Sequence, residues 1–176
     1  MTLLRAMPAE AYGLYLEEEI AAYAQDKVAV GSWAAEGALE RSRAEFATLL
    51  PQGLATPDNH LFEILAADDG AVVGAVIGTV VGAIWLAIER EHGTVTGYVY
   101  NVGIKPEFQR QGHALRAFQA LELLALELGA ASIGLHVFGA NAAAQALYRK
   151  LGFTVTGINM RKSIAPTITA CSSKEP

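Results

Sequence analysis

The chain reads as a three-layer α/β (α+β) domain on a mixed, mostly antiparallel sheet. Three observations predict this. Two helical patterns follow a short first strand, then comes a run of β-rich segments joined by polar turns, and then strand and helix alternate to the end of the patterned sequence. Short turns join antiparallel strands, whereas a strand–helix–strand unit pairs its strands in parallel. The composition supports one core: 176 residues, 52% hydrophobic and only 18% charged, which is a globular balance for a single domain. The domain is expected over residues 1–165, followed by a flexible polar tail over 166–176.

Residues 3–7 form a short apolar run and read as the first strand, and Pro8 suits the first turn of a helix. Tyr12, Leu16, Ile20 and Tyr23 recur at helical spacing, with Glu17, Glu18 and Asp26 off that face. The acidic run Glu17, Glu18, Glu19 reads as a solvated face. Gly31 interrupts the segment. A second helix is expected over 34–50, with Leu39, Phe46 and Leu50 inward and Glu40, Arg41 and Arg43 outward, stopped by Pro51 and Gly53. Residues 60–66 read as a strand, and Asp68, Asp69 and Gly70 as a turn.

Residues 71–88 carry no charge, which meets the length of a membrane helix, and Gly74, Gly78 and Gly82 stand four apart. Yet the glycines and Thr79 keep hydrophobicity modest, both flanks are acidic, and Val and Ile favour strand. No membrane span is expected. Eighteen extended residues would reach about 60 Å, too far for one strand of this domain. A turn or bulge is therefore expected within 74–82, with 83–89 as the central strand.

Residues 89–93 read as a polar turn and 94–104 as strand, with Val95, Gly97, Val99 and Asn101 on one side and Thr96, Tyr98, Tyr100 and Val102 on the other. The helix over 114–128 buries Phe118, Leu121, Ala125 and Leu128 and is capped by Gly129. Residues 132–138 read as a strand buried on both faces and parallel to 98–104. A short helix over 142–150 and a final strand region over 153–164 close the domain.

A formal net charge of −5 argues against nucleic acid and favours a cationic partner. Cys171 is the only cysteine and the four histidines are scattered, so neither a disulfide framework nor a metal site is expected. The N-terminus does not read as a signal peptide, and a reducing, cytoplasmic location fits. Dimerisation through sheet edges is compatible with the sequence.

Between strand and helix lies a turn of Gln109, Arg110, Gln111, Gly112, His113 and Ala114. Gly112 permits a backbone turn closed to other residues. The first amides of a helix have no partner within it and face outward at the positive end of the dipole, so the turn is suited to a phosphate or pyrophosphate. Arg110 adds a formal charge.

The stretch VGIKPEFQRQGHA over 102–114 resembles the acetyl-CoA-binding motif of the GNAT superfamily of N-acetyltransferases. LHVFGAN over 135–141 and ALYRKLGF over 146–153 resemble its second motif, and GINMRK over 157–162 resembles the closing strand of bacterial members. The order of elements over residues 2–164 matches as well. The resemblance implies acetyl-CoA as cosubstrate, bound by Val102, Gly103, Ile104, Gln109, Arg110, Gln111, Gly112, His113, Ala114, Asn141 and Ala144. The pantetheine arm would lie in a splay between strands 98–104 and 132–138, with Gly103 helping a bulge there. Tyr148 takes the family's place of general acid to the leaving thiolate, with packing under the short helix as its other reading. Asn141 is also a candidate helix N-cap, and His136 reads as a core histidine.

The implied reaction is transfer of acetyl to a primary amine in a ternary complex. Many members carry a strand glutamate as base. Here Tyr98 and Tyr100 stand at those positions, and no carboxylate lies between Glu91 and Glu107. The base is water-relayed, comes from Glu63 or Glu89, or is unnecessary, and Tyr98 and Tyr100 then line the acceptor pocket. The missing glutamate leaves a non-catalytic acyl-CoA-binding module of the same fold as the alternative.

Overall fold

A computed structural model of the chain describes residues 2–67, 78–162 and 164. Among the described residues nine main elements follow in order: β1 (Thr2–Ala6), α1 (Ala9–Ala29), α2 (Ala38–Leu49), β2 (Asn59–Ala67), β3 (Gly78–Glu91), β4 (Thr94–Ile104), α3 (His113–Glu127), β5 (Ser132–Leu135) and α4 (Ala142–Lys150). Single 3-10 turns fall at Gly53–Ala55 and Pro106–Phe108. The sheet order is β1-β2-β3-β4-β5. All neighbours are antiparallel except β4 and β5, which are parallel. The mixed sheet expected from the element order is present. The tail over 166–176 and most of the region expected to turn before residue 78 lie outside the described residues.

Each face of the sheet is covered by its own core. On one face Ile84, Leu86 and Ile88 of β3 meet Ala117, Phe118, Leu121 and Ala125 of α3. On the other, Trp85 and Leu61 meet Tyr15 and Ile20 of α1 and Phe46 of α2. The period-two alternation of β3 produces this division. The β3–β4 hairpin closes on His92 (φ 50°) and Gly93 (φ 79°). Two successive positive φ values match the right-handed twist of the flanking strands.

Several expectations change. Strand β3 begins at Gly78, five residues before the expected central strand, while the bulge expected within 74–82 is present, with Val81 as an extra residue between the pairs Ile64–Gly82 and Leu65–Val80. The spaced glycines serve strand contact: a Cβ on Gly82 would lie 2.1 Å from the Gly103 carbonyl oxygen, and one on Gly78 2.7 Å from that of Ala66. Among the described residues no helix is long and apolar enough to cross a membrane.

Helix α2 starts after Gly37 (φ 69°), later than expected, and buries Ala38, Ser42 and Phe46 at four-residue spacing. Leu39 lies off that stripe and is exposed, contrary to its inward assignment. Buried Ser42 satisfies its hydroxyl by donating to the Ile20 carbonyl at 2.7 Å, which also joins α2 to α1. Strand β5 stops at Leu135 and is only partly buried, because it forms the outer edge of the sheet. Residues 154–162 form no strand, and Val155, Ile158 and Met160 are exposed. β-propensity there finds no packed surface to lie on, and propensity without a surface does not hold a strand.

Candidate active site

The site begins where two parallel strands part. Pairing of β4 with β5 runs from Thr96–Ser132 to Val99–Leu135 and ends there. Beyond it β4 keeps β3 on its other side, through Asn101–Trp85, Val102–Ile84, Gly103–Ala83 and Ile104–Gly82. The β5-side edge of residues 100–104 is thus open for strand-like hydrogen bonding.

A β-bulge sits at the same point. Leu86 pairs Val99 and Trp85 pairs Asn101, leaving Tyr100 as the extra residue. The bulge shifts the alternation by one. Asn101, expected beside Val95, Gly97 and Val99, instead shares the α1/α2 face with Tyr98 and Tyr100. Tyr100 stacks on Trp85 (4.7 Å between centroids) and meets Tyr98 edge-on (4.8 Å). The bulge is therefore three residues before Gly103, the position expected to carry it; a Cβ on Gly103 would meet nothing closer than 3.9 Å.

The turn ahead of α3 is built by its own side chains. Gln109 Nε2 donates to the Ile104 carbonyl (3.0 Å) and Gln111 Nε2 to the Glu107 carbonyl (3.1 Å). Arg110 (φ 63°) and Gly112 (φ 83°) turn the chain into the helix. The amides of residues 110–112 make no backbone hydrogen bond among the described residues, and the first amides of α3, including those of His113 and Ala114, have no intrahelical acceptor. The Arg110 side chain is exposed beside them. An anion fits this donor set. His113 is different: its ring is buried and pairs through Nδ1 with Thr2 Oγ1 at 3.2 Å. Arg116 Nε donates to the same Thr2 oxygen (2.8 Å) and its Nη2 to the Gln111 carbonyl (2.8 Å). These side chains tie α3 and the turn to β1. Burial, followed by the Arg116 charge, lowers the His113 pKa.

Tyr148 stands on α4, edge-on to Phe118 (5.6 Å) and Phe153 (5.7 Å). It packs under its helix and also lines a cleft of about 680 Å³ that opens at the strand splay. Burial raises its pKa, so its phenol is protonated at neutral pH. Asn141 caps α4, its Oδ1 accepting from the Ala144 amide at 3.0 Å, and it lines the same cleft. Ala144 is half-buried one turn along the same helix, on which Tyr148 follows four residues later. His136 is not a core residue: it is exposed on the cleft wall, edge-on to Phe138 at 5.2 Å.

The opposite wall holds a residue that its sequence context assigns to solvent. The acidic run of α1 divides: Glu17 pairs with Arg43 at the surface (2.6 Å) and Glu18 is exposed, but Glu19 turns into the cleft. Asn101 Nδ2 donates to Glu19 Oε2. Burial first, then the neighbouring Glu18, raises the Glu19 pKa to about 7 against the lowering effect of the Asn101 hydrogen bond. The spacing carries a signal of this: Glu19, Ala22, Tyr23, Asp26 and Lys27 line the cleft and fall on one helical face. The two expected carboxylates are placed otherwise. Glu63 accepts from Arg5 Nη2 (2.6 Å) and Nε (3.0 Å), and Glu89 is exposed and does not line this cleft.

Known proteins share this architecture. The acetyltransferase (GNAT) family matches residues 14–153. The chain is 32% identical over 162 residues to the uncharacterized N-acetyltransferase YycN of Bacillus subtilis strain 168, covering 92% of this chain and 98% of the relative. It is 30% identical over 161 residues to the uncharacterized N-acetyltransferase YdgE of the same organism, covering 92% and 97%. The crystal structure of YycN superposes with a TM-score of 0.81 at 31% identity, covering 94% of this chain and 100% of that one. With the parted strands, the glycine turn and the matching relatives together, the chain belongs to the acetyltransferase (GNAT) family of acyltransferases.

Proposed function

We propose that the protein transfers acetyl from acetyl-CoA to a primary amine, with Tyr148 as the acid that protonates the leaving sulfur. The observation that carries this reading is the open edge of residues 100–104, with the anion-suited turn at one end and Tyr148 across the cleft. The residues fit the cosubstrate. The unpartnered amides of 110–114 and the charge of Arg110 are suited to its pyrophosphate. The edge of Val102, Gly103 and Ile104 offers strand-like hydrogen bonds to an amide-containing arm. When bound, acetyl-CoA supplies an activated thioester carbonyl.

The chain's own groups divide the remaining work. Backbone N–H groups along the open edge of β4 supply donors for the negative charge that develops on the carbonyl oxygen. Tyr148, neutral at working pH, holds a proton for the sulfur. Asn141 fixes the start of α4 and so the position of Tyr148. Tyr98, Tyr100 and Trp85 wall the acceptor side. Bringing both reactants into one cleft provides a large share of the rate.

The test is release of CoA thiol from acetyl-CoA with a panel of amines, comparing wild type with Tyr148→Phe. Loss of about 10²–10⁴-fold in kcat, with acetyl-CoA affinity retained, is expected for a general acid. An unchanged kcat would remove Tyr148 from the role. Acetyl-CoA binding without release to any amine would favour a non-catalytic acyl-CoA-binding module.

A further inference from the structure

We infer that Glu19, held at the Tyr100 bulge by Asn101, is the base that takes the proton from the acceptor, and that the acceptor is a primary alkylamine that arrives as its ammonium ion. This rests on the acetyl-transfer reading of the same cleft.

Three observations carry it. The first is what lines the acceptor side. Carboxylates of Glu19, Asp26 and Glu45 face the cleft with the aromatic rings of Tyr23, Phe46, Trp85, Tyr98 and Tyr100. Lys27 is the lysine or arginine among these lining residues, and its ammonium already lies over Tyr23 (4.9 Å) and Trp33 (5.7 Å). A wall of negative charge and aromatic faces attracts a cation carried on an apolar stem.

The second is an unpartnered atom. Asn101 gives its Nδ2 hydrogen to Glu19, while its Oδ1 is buried and has no hydrogen-bond partner among the described residues. A buried acceptor without a donor is costly. An ammonium N–H at this point would satisfy Asn101 Oδ1 while a second N–H meets the Glu19 carboxylate.

The third is the chemistry of the candidates. Tyr98 and Tyr100 have raised pKa values through burial and the Glu89 charge, so they are neutral phenols. Glu63 is held by Arg5. Glu19 is faced by Tyr15, Glu18 and Asp26 from its own helix and by Asn101 from β4, while Glu45, Lys27, His136 and Tyr148 line the same cleft. Burial and the like charges lift its pKa to about 7, which brings it nearer that of an alkylammonium than an ordinary glutamate stands.

The step balances. One N–H bond of the ammonium breaks as an O–H bond forms on Glu19, and the nitrogen keeps its lone pair. That pair forms the N–C bond, the C–S bond breaks toward sulfur, and Tyr148 gives sulfur its proton. The amide nitrogen loses a further proton to solvent, Glu19 releases its own to solvent, and Tyr148 regains one from water.

The experiment measures thiol release from acetyl-CoA by wild type and Glu19→Gln, using 1,5-diaminopentane and 2-phenylethylamine as alkylammonium probes and aniline as an amine already neutral. Thermal melting and acetyl-CoA affinity establish that the variant is folded. Near pH 7 the variant is expected to lose about 10²–10⁴-fold in kcat/KM for an alkylamine. The loss shrinks as pH approaches the amine's own pKa, near 10, because more acceptor then arrives neutral. A loss that is equal at all pH values would mean a structural role and overturn the inference. So would an unaffected variant, or a wild type that acetylates aniline but no alkylamine. A wild type that binds acetyl-CoA and serves no amine would overturn the acetyl-transfer reading itself, and this inference with it.

Discussion

Glu19 shows how a single half-buried charge couples stability to pH. Its folded pKa is raised from 4.5 to about 7. Below 4.5 the group is protonated in both folded and unfolded chains. Between the two values the folded protein holds a proton that the unfolded chain has released, so stability is lost as pH rises through that window. Glu19→Gln removes the effect. In chemical denaturation the variant is expected to gain on the order of 2–3 kcal/mol over wild type at about pH 8, and little at about pH 4. At the same scale, Gly82→Ala would drive a Cβ to 2.1 Å from the Gly103 carbonyl, a backbone atom that cannot swing aside. The expected cost is about 3 kcal/mol or more, with weaker acetyl-CoA binding, read from melts with and without cosubstrate.

At the scale of elements, two local devices set the cleft. The bulge in β4 turns Asn101 to the α1 side, where it meets Glu19. The second device is the glycine-led start of α3. Gly112→Ala would place a side chain at φ 83° with its Cβ 2.8 Å from Arg116 Nη1. Arg116 is the group that bridges the turn to Thr2. A loss of about 1–3 kcal/mol is expected from the strained backbone. Acetyl-CoA affinity should fall with it, measured by titration calorimetry, because the amides proposed to meet the phosphates move.

For the whole molecule, two cores share one sheet. In the proposed reading the α3 side, with its own core, supports the cosubstrate half of the cleft, and the α1/α2 side, with the other, supports the acceptor half. Leu121 is fully buried between α3 and the sheet. Leu121→Ala should cost about 2–5 kcal/mol, measured by denaturant unfolding. In the proposed reading acetyl-CoA binds only the folded chain, so at a hundred times its Kd it should add about 2.7 kcal/mol to wild-type stability. A melt that acetyl-CoA leaves unmoved at that ratio would count against the binding site.

Much of this molecule is legible in the local chemistry of its chain. Helix caps, turn residues and period-two alternation act over a few neighbours, so the β3–β4 hairpin, α3 after its glycine turn and the Asn141 cap of α4 can all be read from the residues themselves. The paired motifs over 102–114 and 135–153 bring the family with them. What the sequence alone does not decide depends on contacts between distant segments. An extra residue at Tyr100 reverses the face of Asn101, and only the pairing of β3 with β4 reveals it. Leu39 faces solvent because α1 presses on a narrow stripe of α2. Residues 154–162 hold strand-forming side chains but find no surface to pack on. Glu19 reads as one more solvated charge along the chain, yet α1 lies against β4 and closes over it, because burial is a property of the packed molecule and not of the residue.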